Sequence, residues 1–261
     1  MYTFLIAVLA AIVFVTLIWF DYTKKVDAYE GEIAVLDAVN SGQLKIGIIG
    51  DSWAAGRKTD DYLVRFFENA GKQVSVVSFG QPGAKSRDIY QNLFKNPSGL
   101  FSSNAILTSS QTDIAIVFAG VNDTLTYVGA DFYAHHLRLI MQILIQCGIT
   151  PLIVEIPAYG IDKIDSETIL GKMRRRLMRL VHHLGEVNVI PEYRQAAIKM
   201  INDTFQENQY LYFSFDHAIK SGENAFDFYK SDFLHLNEQG NKRLADEIGK
   251  LIVGWNKPGD A

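Results

Sequence analysis

"LKIGIIGDSWAAG", residues 44 to 56, begins as an apolar run and stops at Gly50-Asp51-Ser52-Trp53. Apolar residues that do not alternate with polar ones belong to a strand covered on both faces, as in a parallel sheet. The end of the run is odd for a plain turn: an acid, a hydroxyl and a large aromatic, then small residues. Three readings compete, namely a phosphate-binding loop, a nucleophile presented at a strand end, and an ordinary strand-to-helix turn. Spacing argues against the first. Five residues separate Gly50 from Gly56 and Arg57 precedes Lys58, whereas a phosphate loop needs four and a lysine directly after its second glycine.

Outward from this stretch, similar runs recur: "VSVVSF" (74–79), "IAIVFA" (114–119), "PLIVEI" (151–156) and "VNVI" (187–190). Amphipathic segments separate them. Asp60-Asp61 caps "YLVRFFENA" with Gly71 as a stop, and "ADFYAHHLRLIMQILIQC" ends at Gly148. A last helix starts near Asn237 and sets Leu244, Ile248, Leu251 and Ile252 on one face. This βαβ alternation predicts a three-layer α/β/α sandwich around a mainly parallel five-stranded sheet, in residues 44–261. In such sheets sites lie at the carboxyl ends of the strands.

The 261 residues are 48% hydrophobic and 21% charged, as in a folded globular chain, and the net charge of −4 provides no basic field for nucleic acid. A lone cysteine, Cys147, excludes an intrachain disulfide and a cysteine-based zinc site. Residues 3–20, "TFLIAVLAAIVFVTLIWF", carry no charge and as a helix would reach roughly 27 Å, close to a bilayer core. Trp19, Phe20 and Tyr22 stand where an interfacial aromatic belt belongs, followed by Lys24 and Lys25. Residues 1–22 are therefore expected to form a retained single-span membrane anchor, rather than a cleaved signal or a buried globular helix. Residues 23–43 are expected to be a juxtamembrane spacer outside the main core. The two lysines weakly favour a cytoplasmic side for the domain beyond them.

Ser52 directly follows the first strand, where such a sheet places its site. A serine nucleophile needs a base, a group to orient that base, and donors for an oxyanion. Of six histidines, His135, His136, His182 and His183 lie within helices and His217 lacks obvious support. His235 differs: in "KSDFLHLNEQG" Asp232 precedes it by three residues, so carboxylate and imidazole can share one short turn. Two further strand ends offer donors. "AGVND" supplies the Asn122 amide, and "FGQPGAKS" supplies Gly83, whose missing Cβ leaves its N–H open to a ligand.

Taken together these blocks strongly resemble the SGNH/GDSL hydrolase family. Gly50-Asp51-Ser52 matches its first block, Gly83 the glycine of the second, Gly120-Val121-Asn122-Asp123 the third, and Asp232-Phe233-Leu234-His235 the fifth. Trp53 departs from the smaller aliphatic residue frequent after the family's serine, and Gly80 competes with Gly83 for the second block. The ordinary α/β-hydrolase elbow, G-x-S-x-G, is a poor match because Ala54 stands at its second glycine.

The resemblance implies a flavodoxin-like sheet and ester hydrolysis through an acyl-serine. Ser52 is then the nucleophile, His235 the base and Asp232 its orienting acid. The Ser52 and Gly83 N–H groups and the Asn122 amide form the oxyanion hole, with Asp51, Gly120 and Asp123 in support. No metal or other cofactor is required. The favoured substrate is an O-acyl, chiefly acetyl, group on a cell-envelope glycan, which would set the domain outside the cytoplasm. Cleavage of lipid or lysophospholipid esters, acyl transfer to a glycan hydroxyl, and non-catalytic binding of an acylated glycan are the alternatives. The aromatic stretches "YLYFSF" (210–215) and "AFDFY" (225–229) are read as core rather than as the lining of an acyl or sugar pocket, and the basic cluster of "KMRRRLMRLVHH" (172–183) as a solvated helix face rather than one that meets anionic lipid or an acidic glycan.

Overall fold

The computed structural model describes residues 22–30, 43–56, 58–95, 103–108, 112–164 and 168–255, together with Ile6, Leu9 and Thr16. Five strands, β1 (Leu44–Gly50), β2 (Val74–Gly80), β3 (Ile114–Phe118), β4 (Thr150–Val154) and β5 (Leu211–Phe213), form one sheet in the order β2-β1-β3-β4-β5. Every pairing is parallel. This is the flavodoxin-like order, and the chain reverses its direction of winding between β1 and β3. Strands β1 and β3 are buried over most of their length, as their unbroken apolar runs require. Edge strand β2 is only half-covered, and Val77 is exposed.

The first helical turn, α1 (Ser52–Ala55), leaves β1 directly, and α2 (Lys58–Asn69) returns along the sheet to β2. Next come α3 (Ser86–Asn92), α4 (Asn104–Thr108), α5 (Val121–Thr126), α6 (Ala130–Gln146), α7 (Ile169–His183), α8 (Ile190–Thr204), α9 (Phe215–Ala218) and α10 (Glu238–Val253). Helix α10 packs against α2 on one side, whereas α3, α6 and α8 pack together on the other, giving three layers. Asn237 caps α10 by accepting from the Gly240 N–H at 2.9 Å, and Leu244, Ile248 and Ile252 are buried beneath it.

One expectation needs correction. Residues 187–190 are not the fifth strand. Pro191 stands in the first turn of α8, where its locked φ favours a helix start, and Val189 and Ile190 are buried at that start. The strand comes instead from "YLYFSF", as the three residues of β5 on the open edge of β4. The spacer expected over 23–43 runs along the domain surface in its described part 23–30, following Tyr22, the last residue of the expected anchor. Tyr22 and Val26 lie against the core. The Val26 N–H donates to His136 Nε2 at 3.2 Å, the Val26 carbonyl lies 2.7 Å from His135 Nε2, and Tyr29 stacks on Phe94 with ring centroids 4.0 Å apart. Two helix histidines thus hold this segment.

Apart from Ile6, Leu9, Thr16 and Tyr22, the anchor helix expected over residues 1–22 lies outside the described residues, as do residues 31–42 of the spacer. Among the described residues no helix is long and apolar enough to cross a membrane.

Candidate active site

The site assembles where β1 and β3 end side by side. Asp51 continues from β1, its N–H donating to the Phe118 carbonyl at 3.2 Å, and its carboxylate caps α1 by accepting from the Trp53 N–H at 2.9 Å. Between those two residues stands Ser52, half-buried. At the end of β3, Gly120 (φ 108°) turns the chain into α5, which carries Asn122 and Asp123.

From the other end of the chain comes the turn before α10. His235 Nε2 lies 2.9 Å from Ser52 Oγ, across 183 residues of sequence, and His235 Nδ1 lies 2.7 Å from Asp232 Oδ2. The other Asp232 oxygen accepts the Leu234 and His235 N–H groups, each at 2.9 Å. Partial burial opposes ionisation of Asp232, but the His235 and Leu234 hydrogen bonds outweigh it and hold the carboxyl below its ordinary value. Phe233 closes the turn in a left-handed conformation (φ 55°), secured by its carbonyl accepting from the Gly160 N–H and by its N–H donating to the Lys230 carbonyl, both at 3.0 Å. Hydroxyl, imidazole and carboxylate therefore form one hydrogen-bonded chain, with the acid fixing which ring nitrogen faces the serine.

Behind the serine Asp51, Ser86 and Asp123 are buried and Asn122 is half-buried. Asn122 Nδ2 donates to Asp51 Oδ2 at 3.3 Å and to the Ala84 carbonyl at 3.1 Å. Asp123 accepts from the Ser86 N–H at 2.9 Å and from Ser86 Oγ at 2.6 Å. These contacts tie the loop carrying Gly83 to α5, so the second and third sequence blocks meet as expected. Burial raises the Asp51 carboxyl to about 7 and the Asp123 carboxyl to about 6. Both Asn122 N–H groups already have acceptors, so donation to an oxyanion requires one of those bonds to be shared or released. Gly83 takes a left-handed φ of 78° with open space around its Cβ position, whereas a Cβ on Gly80 would lie 2.1 Å from the Ala55 nitrogen. Gly80 is thus a packing glycine beneath α1, and Gly83 sits in the open loop.

Trp53 is buried against Phe118, Phe215 and Tyr229, with ring centroids 6.2 to 6.5 Å away. With Asp51 and Glu155 it lines a cavity of about 10 Å³, near the lower limit for one water. Sequence reading missed the network beside it. Glu155 accepts from Tyr212 Oη at 2.8 Å and Ser214 Oγ at 2.5 Å, while Arg194 donates to the Ile156 carbonyl at 2.6 Å and to Asp216 at 2.5 Å. These partners stand 22 to 59 positions apart, and no local pattern announces them. Ser86 was legible only as a serine near the Gly83 loop. His217 lies exposed on α9, while buried His183 pairs with Glu192 at 2.8 Å. Among the described residues no group of three or more His, Cys, Asp or Glu could hold a metal ion.

The same fold occurs in solved enzymes. An acetylxylan esterase from Geobacillus stearothermophilus superposes with a TM-score of 0.57 at 15% identity, over 85% of this chain and 100% of that one. A psychrotrophic esterase from a Pseudoalteromonas species gives 0.54 at 16% identity, over 81% and 97%. A carbohydrate acetylesterase from Sinorhizobium meliloti gives 0.53 at 13% identity, over 81% and 99%. A comparison with curated proteins gave no match. Residues 48–243 match the model of the GDSL-like Lipase/Acylhydrolase family, three quarters of the chain and every block of the site, and the protein belongs to that family as a hydrolase of the SGNH type.

Proposed function

We propose that the protein removes short O-acyl groups, chiefly acetyl, from a cell-envelope glycan, with Ser52 as nucleophile. The observation that carries the chemistry is the 2.9 Å contact between His235 Nε2 and Ser52 Oγ, backed by Asp232 at 2.7 Å. Ser52 Oγ attacks the acyl carbonyl and its proton passes to His235 Nε2. The carbonyl oxygen becomes an oxyanion facing the Ser52 and Gly83 N–H groups and the Asn122 amide. Collapse of this adduct breaks the ester C–O bond, and His235 hands its proton to the departing sugar oxygen. Water then attacks the acyl-serine, giving its proton to His235, and the second collapse frees the acid and restores the serine.

The size of the acyl group is argued from the structural relatives, because the cavity of about 10 Å³ beside Trp53 is lined by neither Ser52 nor His235 and is too small for an acetyl group. The names of two structural relatives, an acetylxylan esterase and a carbohydrate acetylesterase, support the same class. The uncharged run at residues 3–20 supports anchoring in a membrane, and a glycan substrate sets the domain outside the cytoplasm.

An ester panel on the full chain tests this reading. Acetyl esters of p-nitrophenol and O-acetylated glycans are expected to turn over at least about tenfold faster, in kcat/KM, than octanoyl esters or lysophospholipid. Preference for the long chain would replace it with the lipid reading.

A further inference from the structure

Helix α7 carries its apolar residues on the wrong side for a globular domain. Ile169, Leu170, Met173, Leu180 and Val181 are each more than half exposed, Leu177 is 39% exposed, and Leu184 at the C-cap is 92% exposed. At about 100° per residue these seven fall within a sector of roughly 120°, with buried Met178 about 60° beyond one edge and buried His183 about 40° beyond the other. Arg174 borders the sector on one side, and Arg176 and Lys172 border it on the other, all three exposed. The helix contains no acid. Its inner side is fastened: Arg175 donates to the Ile164 carbonyl at 2.7 Å, and His183 meets Glu192 at 2.8 Å. A contiguous apolar stripe with basic borders, on a firmly held helix, has the form of an element that lies in a lipid interface.

The N-terminal segment says which surface covers it. The Arg174 guanidinium lies over the Tyr22 ring, 4.7 Å from its centroid, and Lys85 Nζ lies 4.2 Å from it. Phe20, the last residue of the uncharged run, precedes Tyr22 by two positions, a span of at most about 7 Å of chain, and Tyr22 itself meets the border of the stripe. A chain entering a bilayer there brings the stripe to its surface.

We infer that α7 is an interfacial helix, seated with residues 169–184 in the headgroup region of an anionic bilayer and holding the catalytic domain down on the membrane. The inference rests on the proposed anchor only for that proximity. Arg174, Arg176 and Lys172 face lipid phosphates while the stripe enters the acyl boundary, and α7 packs on α5, the helix that carries Asn122. The domain then presents one fixed face to the lipid instead of swinging on its tether.

The test uses the full chain with Cys147→Ser, labelled with an environment-sensitive fluorophore at Met173→Cys, Leu177→Cys or, as control, Lys199→Cys on exposed α8. Each is reconstituted in phosphatidylglycerol-containing or pure phosphatidylcholine vesicles, with an unchanged thermal midpoint as the check on folding. Lipids spin-labelled near the headgroup are expected to quench the probes at 173 and 177 about twofold or more beyond the control. Lys172→Glu with Arg176→Glu is expected to remove most of that excess in anionic vesicles. Flotation with the vesicles reads the anchor separately. Protein that floats while all three probes are quenched alike overturns the helix assignment and leaves the anchor standing. A blue shift that is insensitive to the quenching lipids, or that grows with protein concentration, overturns it in favour of a protein partner or a second copy. Protein that fails to float overturns both.

Discussion

The carboxylates on the two sides of the serine are held in opposite ways. Asp51 and Asp123 are buried at the ends of β1 and β3, and burial drives them up to about 7 and about 6. Asp232 is about half exposed, takes two backbone N–H groups and an imidazole, and is held below its ordinary value. The buried pair ties three loops together, with Asp51 meeting Asn122 and Asp123 meeting Ser86. The exposed acid stays ionised at neutral pH, and in the proposed mechanism it matches the charge that develops on His235. On that proposal one residue type serves construction where water is excluded and chemistry where it is not.

Breaking the chemical side carries the largest expected effect. In Asp232→Asn the amide oxygen keeps the two backbone N–H groups, so the NH₂ faces His235 Nδ1 and forces the proton onto Nε2. A ring in that tautomer cannot accept the serine proton. We expect kcat to fall by roughly 10³–10⁴-fold with the thermal midpoint little changed, read by steady-state kinetics and calorimetry. Asn122→Ala tests the border between the two sides. It removes the proposed oxyanion donor and one partner of Asp51, and kcat should fall about 10²–10³-fold while KM for a small acetyl ester moves little.

The buried side is tested through pH. A carboxyl raised from 3.8 to about 6 keeps its proton longer in the folded chain than in the unfolded one. Its contribution to stability is therefore complete below about pH 4 and lost as the pH rises through about 6. The stability of the wild type relative to Asp123→Asn should fall by up to about 3 kcal/mol between pH 4 and 7, measured by denaturant titration. A difference that rises over this range would contradict the buried assignment.

The glycine that ends β2 and the one three residues beyond it give the smallest effects. Gly80→Ala drives a Cβ to 2.1 Å from the Ala55 nitrogen and 2.4 Å from the Ala54 carbonyl carbon, and should destabilise by about 2–3 kcal/mol while slowing turnover through α1. Gly83→Ala meets open space and only the strain of its left-handed φ, about 1 kcal/mol.

Much of this was legible because it is local or periodic. Strands β1 to β4 are runs of apolar residues at the right length, and the Asp232–His235 pair sits within one turn. The fifth strand was misplaced because Val187 to Ile190 has strand composition, yet Pro191 favours a helix start, whereas three-residue β5 pairs only with β4 in the sheet. The Glu155–Arg194–Asp216 network was invisible, since its members meet only after β4 and β5 align. Histidines 135 and 136 read only as residues within a helix, because the segment that they hold lies about 110 positions earlier. The exposed stripe of α7 was hidden by its arginines: periodicity shows that a helix has an apolar face but not that the face points outward.

The most direct test reacts the full chain with a fluorophosphonate, followed by intact mass and peptide mapping. We expect one adduct per chain, on Ser52, with the labelling rate in His235→Ala reduced by about 10³-fold or more. An unlabelled chain, an adduct at another residue, or labelling of Ser52 at an unchanged rate without the imidazole would contradict the claim that this serine is activated by the turn at 232–235.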